Sequence, residues 1–380
     1  MSELSTEEIL EGIRQWIEIE SPSDDPAAMA RMARRIETDY RAIGAEVARI
    51  AGRDGRGDHL LVIEARLCPD AAASGPGILI LSHMDTVHPL GTLAGPLPFR
   101  IEGDRAYGPG AEDMKGGTYL ALAALRQLAR EGRKTHLPIR HLIVSDEELG
   151  SDTSRAHIEA EARRARYVLV TEPARSGGKI VTARKGIANF TVTAHGQAAH
   201  AGVEHHLGRN AIHEMAHQIL ALEAMTDYAR DLTVSVGTIK GGNRSNVVPD
   251  HAEVEVDVRF PNPEIGEEIV RRIRAMTPMT RDVRLVVEGG INRPGYEKTP
   301  GIAALFEHAK ALAAEIGFVL EDLKTGGGSD GNYTAAYAPT LDGLGVDGDG
   351  GHTLEERLYI SSILPRTRLL MRLMETLGAG

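Results

Sequence analysis

The sequence is poor in cysteine, in aromatic residues and in positive charge. Its single cysteine, Cys68, excludes an internal disulfide and any zinc site built from cysteine thiolates. Aromatic side chains make up 4% of the 380 residues, which gives no basis for naming an aromatic ligand. The net charge of −11 argues against a nucleic acid as partner.

Long apolar segments are missing as well. The opening stretch MSELSTEEIL has neither the basic residues nor the apolar run of a signal peptide. No apolar run elsewhere has the length that spans a membrane. We therefore expect a cytoplasmic protein without a membrane partner. Hydrophobic residues at 42% and charged residues at 26% are typical of a folded protein with a large core.

Short apolar runs alternate with helical patterns in the first half of the chain. The runs HLLVIEA, GILILS, IRHLIVS and RYVLVT predict buried strands, and residues 114–131 predict a helix between two of them. Before these runs, one helix is expected to begin at the capping pair Ser5 and Glu8, and another near Asp25. This order indicates an α/β protein with a mostly parallel sheet and helices on both faces.

The middle of the chain has a different pattern. Runs such as NFTVTAHG and AEVEVDVRF alternate apolar and polar residues, which is typical of strands with one exposed face. Helical patterns at 208–224 and 263–276 complete the order strand, helix, strand, strand, helix, strand of a ferredoxin-like α+β sandwich. We therefore expect residues 185–293 to form a small domain, inserted into a larger domain made of residues 1–184 and 294–380.

Histidines and carboxylates follow several of the predicted strands. The carboxyl ends of parallel strands meet at one edge of a sheet, where active sites collect. A single acid in such a place is commonly a helix cap, but neighbouring carboxylates repel each other unless a cation binds between them. Two histidines with three carboxylates suit two Zn²⁺ ions, which leaves a further glutamate as a base. The side chains in question are His83, Asp85, Asp113, Asp146, Glu147, Glu148, Glu172 and His352.

The stretch HEMAH at 213–217 offers a competing metal site. It matches the H-E-x-x-H signature of zinc proteases, in which two histidines on one helix bind the metal. That site would need a third ligand further along the chain, and it would leave the acids at the strand ends unexplained. Ile212, Met215, Ile219 and Leu220 form an apolar stripe, which predicts a packing helix of the inserted domain. We therefore expect the metal to bind at the sheet edge.

Five short stretches identify a known family. SHMDTV, GAEDMKGG, SDEELGS, TEP and GGHTLEE occur in the order and spacing of the dizinc exopeptidase and aminoacylase family, which the chain resembles over nearly its whole length. GQAAHAG, SNVVPDHAEVEVDVRFP and KTGGGSDGNYTAA are similar to the bacterial glutamate carboxypeptidase branch. The resemblance implies a metallopeptidase that removes a C-terminal glutamate, or a similar acidic amino acid, from an N-acyl or N-aroyl group. The alternatives are a general N-acyl-amino-acid deacylase of the same family and a non-enzymatic protein that keeps the metal site.

The resemblance also assigns the metal ligands. It implies two Zn²⁺ ions per subunit, for which Co²⁺ or Mn²⁺ could substitute. Asp113 would bridge the ions, Glu147 would be the general base, and Asp85 would orient a histidine ligand. The remaining ligands implied are His83 and Glu172 at one ion, and Glu148 and His352 at the other.

Further residues match positions that bind the substrate in this family. The inserted domain is expected to form a homodimer, in which His200 of one subunit stabilises the oxyanion in the site of the other. The resemblance implies substrates that are small N-acyl amino acids or short peptides with a free carboxylate, for which a positively charged clamp is expected. The candidates for substrate binding are Arg259, Asn246, Lys179 and the backbone of Gly326, Gly327 and Gly328. The same glycine-rich loop lacks the Gly-Lys-Ser/Thr ending of a phosphate-binding P-loop.

Overall fold

The computed structural model describes residues 4–68 and 75–379. Its contacts divide the chain into two units. The first unit consists of Met1–Thr182, Lys298–Lys324 and Ser329–Gly380, and the second consists of Ala183–Glu297 and Thr325–Gly328.

The helices and strands have the following bounds. The helices are α1 (Thr6–Ile17), α2 (Pro26–Ala42), α3 (Lys115–Glu131), α4 (Arg155–Ala162), α5 (Ala211–Glu223), α6 (Pro263–Arg274), α7 (Pro300–Ile316), α8 (Gly331–Thr334) and α9 (Ile360–Thr376). The strands are β1 (Glu46–Ile50), β2 (His59–Glu64), β3 (Gly77–His83), β4 (Arg100–Glu102), β5 (Arg105–Tyr107), β6 (Ile139–Val144), β7 (Ala165–Val170), β8 (Ile180–Arg184), β9 (Gly186–His195), β10 (Ala199–His200), β11 (Thr233–Gly241), β12 (Val247–Val248), β13 (His251–Phe260), β14 (Arg284–Arg293), β15 (Asp322–Thr325), β16 (Thr340–Leu341), β17 (Gly348–Asp349) and β18 (Arg357–Tyr359).

The first two helices begin at the caps that the sequence predicts. The Ser5 hydroxyl oxygen accepts the backbone N–H of Glu8 at 3.1 Å. In the same way, the Asp25 carboxylate accepts the N–H groups of Ala27 and Ala28, each at 2.9 Å. Each cap satisfies backbone donors that have no partner inside the helix, so the predicted helix starts are confirmed.

A six-stranded sheet in the order β1-β2-β6-β3-β7-β16 forms the centre of the first unit. Strands β6, β3, β7 and β16 run parallel, as expected. The run HLLVIEA forms the buried strand β2, which is antiparallel to both β1 and β6, so the mostly parallel sheet has an antiparallel edge. Only a short connection joins β1 to β2, and parallel neighbours need a long crossover. Every residue of β3 is buried, which means that both faces of the sheet are covered.

The second unit contains a four-stranded antiparallel sheet in the order β11-β13-β9-β14. Helix α5 follows β9 along the chain and α6 follows β13, so the elements have the order and arrangement of a ferredoxin-like sandwich. Alternate residues of β9, such as Phe190 and Val192, are buried in one cluster with Met215 of α5 and Ile269 of α6. Both helices therefore pack on the same face of this sheet.

The HEMAH stretch lies in α5, but its glutamate is not free to act as a base. The buried Glu214 carboxylate accepts the backbone N–H groups of Met279 and Thr280. His213 and His217 pack edge to face, with ring centroids 4.6 Å apart. Within the described residues, neither histidine belongs to a group of three possible metal ligands. The segment thus holds a neighbouring loop in place.

The predicted apolar stripe of α5 is wrong at two positions. Ile212 is 41% exposed and Leu220 is 71% exposed, whereas Met215 is fully buried. The buried polar side chains Glu214 and Gln218 occupy the inner face because they bond to each other and to the loop after α6.

Among the described residues, no helix combines the length and the apolar character needed to cross a bilayer.

Candidate metal centre

Three parallel strands bring polar side chains to one edge of the six-stranded sheet. His83 is the last residue of β3. After β6, Glu147 and Glu148 lie in a single 3₁₀ turn, and Glu172 follows the end of β7 by two residues. Because these strands are parallel, their carboxyl ends share an edge. The sheet topology therefore gathers one histidine and three carboxylates.

Asp113 and His352 reach the same edge from a smaller sheet. Strands β5 and β18 pair antiparallel, with Tyr107 opposite Arg357. Asp113 follows β5, and His352 lies in the loop before β18. The loop with Asp113 begins at β5 and the loop with His352 ends at β18, so both loops join neighbouring strands.

Asp113 faces a histidine with each of its two oxygens. Its Oδ1 lies 3.0 Å from Nε2 of His83, and its Oδ2 lies 3.5 Å from Nε2 of His352. His352 Nε2 is also 3.1 Å from Oε2 of Glu148, and His83 Nε2 is 3.8 Å from Oε1 of Glu172. A carboxylate with one oxygen toward each of two ligand sets has the geometry of a bridge between two cations.

The buried Asp85 orients both His83 and the 3₁₀ turn. Nδ1 of His83 lies 3.0 Å from the carbonyl oxygen of Asp85 and 3.4 Å from its Oδ1. The Asp85 carboxylate also accepts the N–H groups of Glu147 and Glu148, at 3.3 and 3.2 Å, and the Ser23 hydroxyl at 2.7 Å. These contacts fix the ring so that Nε2 faces Asp113 and Glu172. A neutral ring with its proton on Nδ1 would have its Nε2 lone pair available to a cation between them.

Burial and mutual repulsion shift the pKa values of these acids. Burial, followed by the charge of Asp113, raises the pKa of Glu172 well above its usual value. Burial likewise raises the pKa of Glu148, although its hydrogen bond to His352 works in the opposite direction. The hydrogen bonds to Asp113 and Glu148 raise the pKa of His352 to about 11. Without a cation, then, the cluster holds protons to offset its negative charge.

The residues present fit divalent cations. Ligand atoms of His83, Glu147 and Glu172 lie within 4.8 Å of one another, and the same holds for His83, Asp113 and Glu148. Oε1 of Glu148 is buried and makes no hydrogen bond, which leaves a carboxylate lone pair without a partner. Imidazole and carboxylate groups at such distances are the ligands of dinuclear zinc sites.

Glu356 is a residue of the site that the sequence analysis missed. Its Oε1 accepts the N–H groups of Glu112 and Asp113, both at 3.0 Å. Its Oε2 accepts the N–H of Gly110 at 3.0 Å and lies 2.7 Å from Nε2 of His88. Glu356 therefore fixes the turn that carries Asp113. The stretch GGHTLEE contains this residue, but nothing in the sequence alone pairs it with a turn far earlier in the chain.

The second unit contains His200 and Asn246 on neighbouring segments. Strands β10 and β12 pair, with His200 opposite Val247. The carbonyl oxygen of Asn246 accepts the N–H of Ala201 at 3.0 Å. Nδ1 of the exposed His200 accepts the N–H of Gly202 at 3.2 Å, so the neutral ring carries its proton on Nε2.

Arg259 is already paired within the second unit. Its Nε and Nη2 bond to the two carboxylate oxygens of Asp257, each at 2.8 Å. Its Nη1 lies 3.4 Å from the carbonyl oxygen of Gly326. An incoming carboxylate would share this guanidinium with Asp257 or displace it.

Gly327 and Gly328, which follow Gly326, form hydrogen bonds within the protein. The N–H of Gly327 donates to the Thr325 hydroxyl at 3.3 Å, which argues against the expectation that this amide faces a substrate. Buried Arg184 donates to the carbonyl oxygens of Gly327 and Gly328, at 3.1 and 3.3 Å. A Cβ on Gly328 would lie 2.5 Å from the Ile187 side chain, which would have to move to accept a larger residue there.

Lys179 lies in an ion pair on the first unit. Its Nζ is 3.1 Å from Oε2 of Glu321, and both side chains are substantially exposed. The structure thus pairs Lys179 with an acid of its own surface, not with the acids at the sheet edge.

Comparisons with known proteins agree with this geometry. Residues 79–376 match the sequence profile of peptidase family M20/M25/M40. Carboxypeptidase G2 of Pseudomonas sp. (strain RS-16) is 33% identical over 380 residues, which cover 98% of this chain and 90% of that protein. A succinyl-diaminopimelate desuccinylase of Gluconacetobacter diazotrophicus is 26% identical over 323 residues, which cover 80% and 82%. The crystal structure of a tripeptidase from Staphylococcus aureus matches the fold with a TM-score of 0.80, at 20% identity and 100% coverage of both chains.

Proposed function

Because the chain belongs to peptidase family M20/M25/M40 and is a metal-dependent hydrolase, we propose that it cleaves the amide bond between an N-acyl or N-aroyl group and a C-terminal glutamate or similar acidic amino acid. One observation carries the proposal: the side chains of His83, Glu148, Glu172 and His352 converge around the Asp113 carboxylate at distances that suit the ligands of divalent cations. The second candidate is a general N-acyl-amino-acid deacylase, which would use the same centre. A relative named as a desuccinylase favours this alternative.

The proposed cofactor is a pair of Zn²⁺ ions, for which Co²⁺ or Mn²⁺ could substitute. Asp113 would bridge them, and the other ligands would be His83 with Glu172 and His352 with Glu148. When bound, the ions would lower the pKa of a water molecule toward neutrality and polarise the scissile carbonyl.

Glu147 is the general base of the proposed reaction. It takes a proton from the attacking water, whose oxygen forms a bond to the carbonyl carbon. As the C–N bond breaks, Glu147 gives the same proton to the leaving amine. Asp85 acts through its neighbours, since it holds the Glu147 backbone and the His83 ring with one carboxylate.

The second unit is proposed to form a homodimer and to supply His200 to the other subunit's site. The protonated Nε2 of His200 would donate a hydrogen bond to the oxyanion of the tetrahedral intermediate. Two features support a protein contact on this unit. Strand β11 is an edge of its sheet, and the apolar side chains Ile212, Leu220 and Ile239 on α5 and β11 are exposed.

Arg259 is proposed to bind the free carboxylate of the substrate, with Asn246 beside it. We expect Arg259→Ala to lower kcat/KM by about 10- to 100-fold, because a charge-assisted bidentate pair is lost. Metal content is expected to stay at the wild-type level. Steady-state kinetics with metal analysis would measure both, with the exposed Arg230→Ala of the same unit as control. Wild-type kinetics in the Arg259 variant would remove this residue from the site.

A hydrolysis screen paired with metal analysis tests the proposed function. The substrates are N-acyl conjugates of glutamate, aspartate and neutral amino acids, offered to the protein loaded with Zn²⁺. We expect two metal ions per chain and faster release of glutamate than of neutral amino acids. Preference for neutral side chains would favour the general deacylase, and no hydrolysis of any conjugate would defeat both candidates.

A further inference from the structure

A cavity of about 350 Å³ opens beside the candidate metal centre, within the first unit. Asp113 and His352 line it, together with two acids that are not metal ligands, Glu112 and Asp349. One arginine, Arg175, completes this set of charged side chains. The sequence analysis did not select Arg175, although it lies three residues after Glu172.

The acids of this cavity already have partners. Asp349 forms an ion pair with Arg357, at 2.6 Å. The Glu112 carboxylate accepts the N–H of Gly351 at 2.9 Å, and Asp113 faces the two histidines. Cations bound at Asp113 would neutralise that carboxylate further.

The Arg175 side chain differs from these acids in its lack of a partner among the described residues. Within residues 4–68 and 75–379, no hydrogen bond or ion pair engages its half-buried guanidinium. The positive charge of Arg175 nevertheless acts on Glu112, which lines the cavity. Burial and then the Asp113 charge raise the pKa of Glu112 to about 7, and the Arg175 charge opposes both effects.

The backbone of Arg175 is held firmly. Arg175 and Lys179 exchange two backbone hydrogen bonds, each 2.8 Å long, across a turn at 176–178. Buried Arg366 donates to the carbonyl oxygen of Gly178 within that turn. Because the backbone at Arg175 is already fixed, only the side chain would lose conformational freedom when a ligand binds.

We infer that Arg175 binds a second carboxylate of the substrate, so that this cavity selects dicarboxylic substrates. A guanidinium recognises a carboxylate through two parallel hydrogen bonds. The second carboxylate belongs either to the side chain of an acidic amino acid or to a dicarboxylic acyl group. This inference rests on the proposed amide hydrolysis and names the substrate class of the same centre.

Two matched substrate pairs test the inference in the metal-loaded protein. N-acetylglutamate is compared with N-acetylglutamine, and N-succinylalanine with N-butyrylalanine. We expect Arg175→Gln to lower kcat/KM by about 10- to 100-fold for the dianionic member of one pair, and to leave its monoanionic member unchanged. The pair that responds identifies the part of the substrate that carries the second carboxylate. Arg175→Lys should keep part of the selectivity, and the surface variant Arg14→Gln should keep all of it.

Calorimetric titration gives a second readout that does not need turnover. Glutarate should bind the metal-loaded wild type more tightly than butyrate does, and Arg175→Gln should remove this difference. An equal loss for both members of each substrate pair, or a loss of metal, would overturn the inference. It would also fail if Lys179→Gln, and not Arg175→Gln, abolished the selectivity. If the wild type hydrolysed none of the four amides, the proposed function would fail, and the glutarate titration would still decide the role of Arg175.

Discussion

Replacing Glu147 with glutamine is expected to lower kcat by about 10²- to 10⁴-fold while both metal ions stay bound. Glutamine has the size of glutamate but cannot accept the proton of the attacking water. The backbone N–H of residue 147 would still donate to Asp85, so the turn should keep its shape. Turnover of the best substrate and metal content by mass spectrometry would be measured on the same preparation.

The matched control for this variant is Glu307→Gln, an exposed position on α7. It should keep wild-type turnover and metal content. The side chain of Glu147 also lies within 4.8 Å of ligand atoms of His83 and Glu172, so it could itself bind a cation. Loss of one ion from Glu147→Gln would assign it to the ligands, and unchanged turnover would remove it from the mechanism.

Replacing His200 with alanine is expected to lower kcat by about 10²- to 10³-fold, because a preorganised donor to the oxyanion is lost. The side chain is exposed, and within the described part of the chain its ring bonds only to the N–H of Gly202, so folding and metal content should not change. Circular dichroism, metal analysis and steady-state kinetics would separate a catalytic defect from a folding defect.

A heterodimer of the two variants tests whether the subunits share their sites. Co-expression with two different affinity tags would isolate dimers that contain one His200→Ala chain and one Glu147→Gln chain. If His200 acts across the interface, one of the two sites is complete, and about half of the wild-type activity should return. A heterodimer no more active than its parents would show that His200 serves its own subunit or none.

The proximity of the candidate metal ligands could be predicted from the sequence, because polar residues occur at the ends of apolar runs that mark strands. The apolar runs at β3 and β7 mark buried parallel strands, and His83 and Glu172 come at or just after their ends. Because the carboxyl ends of parallel strands lie at the same edge of a sheet, the order of the elements predicts that these side chains share one edge. The antiparallel direction of β2 could not be predicted from the sequence, because an apolar run has the same composition in either direction.

Contacts between residues that lie far apart in the sequence could not be predicted. Glu214 belongs to a motif that suggests metal chemistry, yet it bonds to the backbone of a loop 65 residues away. Ile212 and Leu220 have the spacing of a buried stripe and are exposed, because polar residues with internal partners took the inner face. Among the described residues, no hydrogen bond or ion pair engages the Arg175 side chain, and a sequence does not show which charged side chains remain unpaired.

The contact between Glu356 and the Asp113 turn also bears on when the protein becomes active during its synthesis. His83, Asp113, Glu148 and Glu172 are translated well before His352 and Glu356. Until the later segment emerges from the ribosome, the Asp113 turn lacks its carboxylate anchor, and one of the proposed cations would lack its histidine ligand. We therefore expect the proposed metal centre to be completed only after the segment with His352 and Glu356 has been translated.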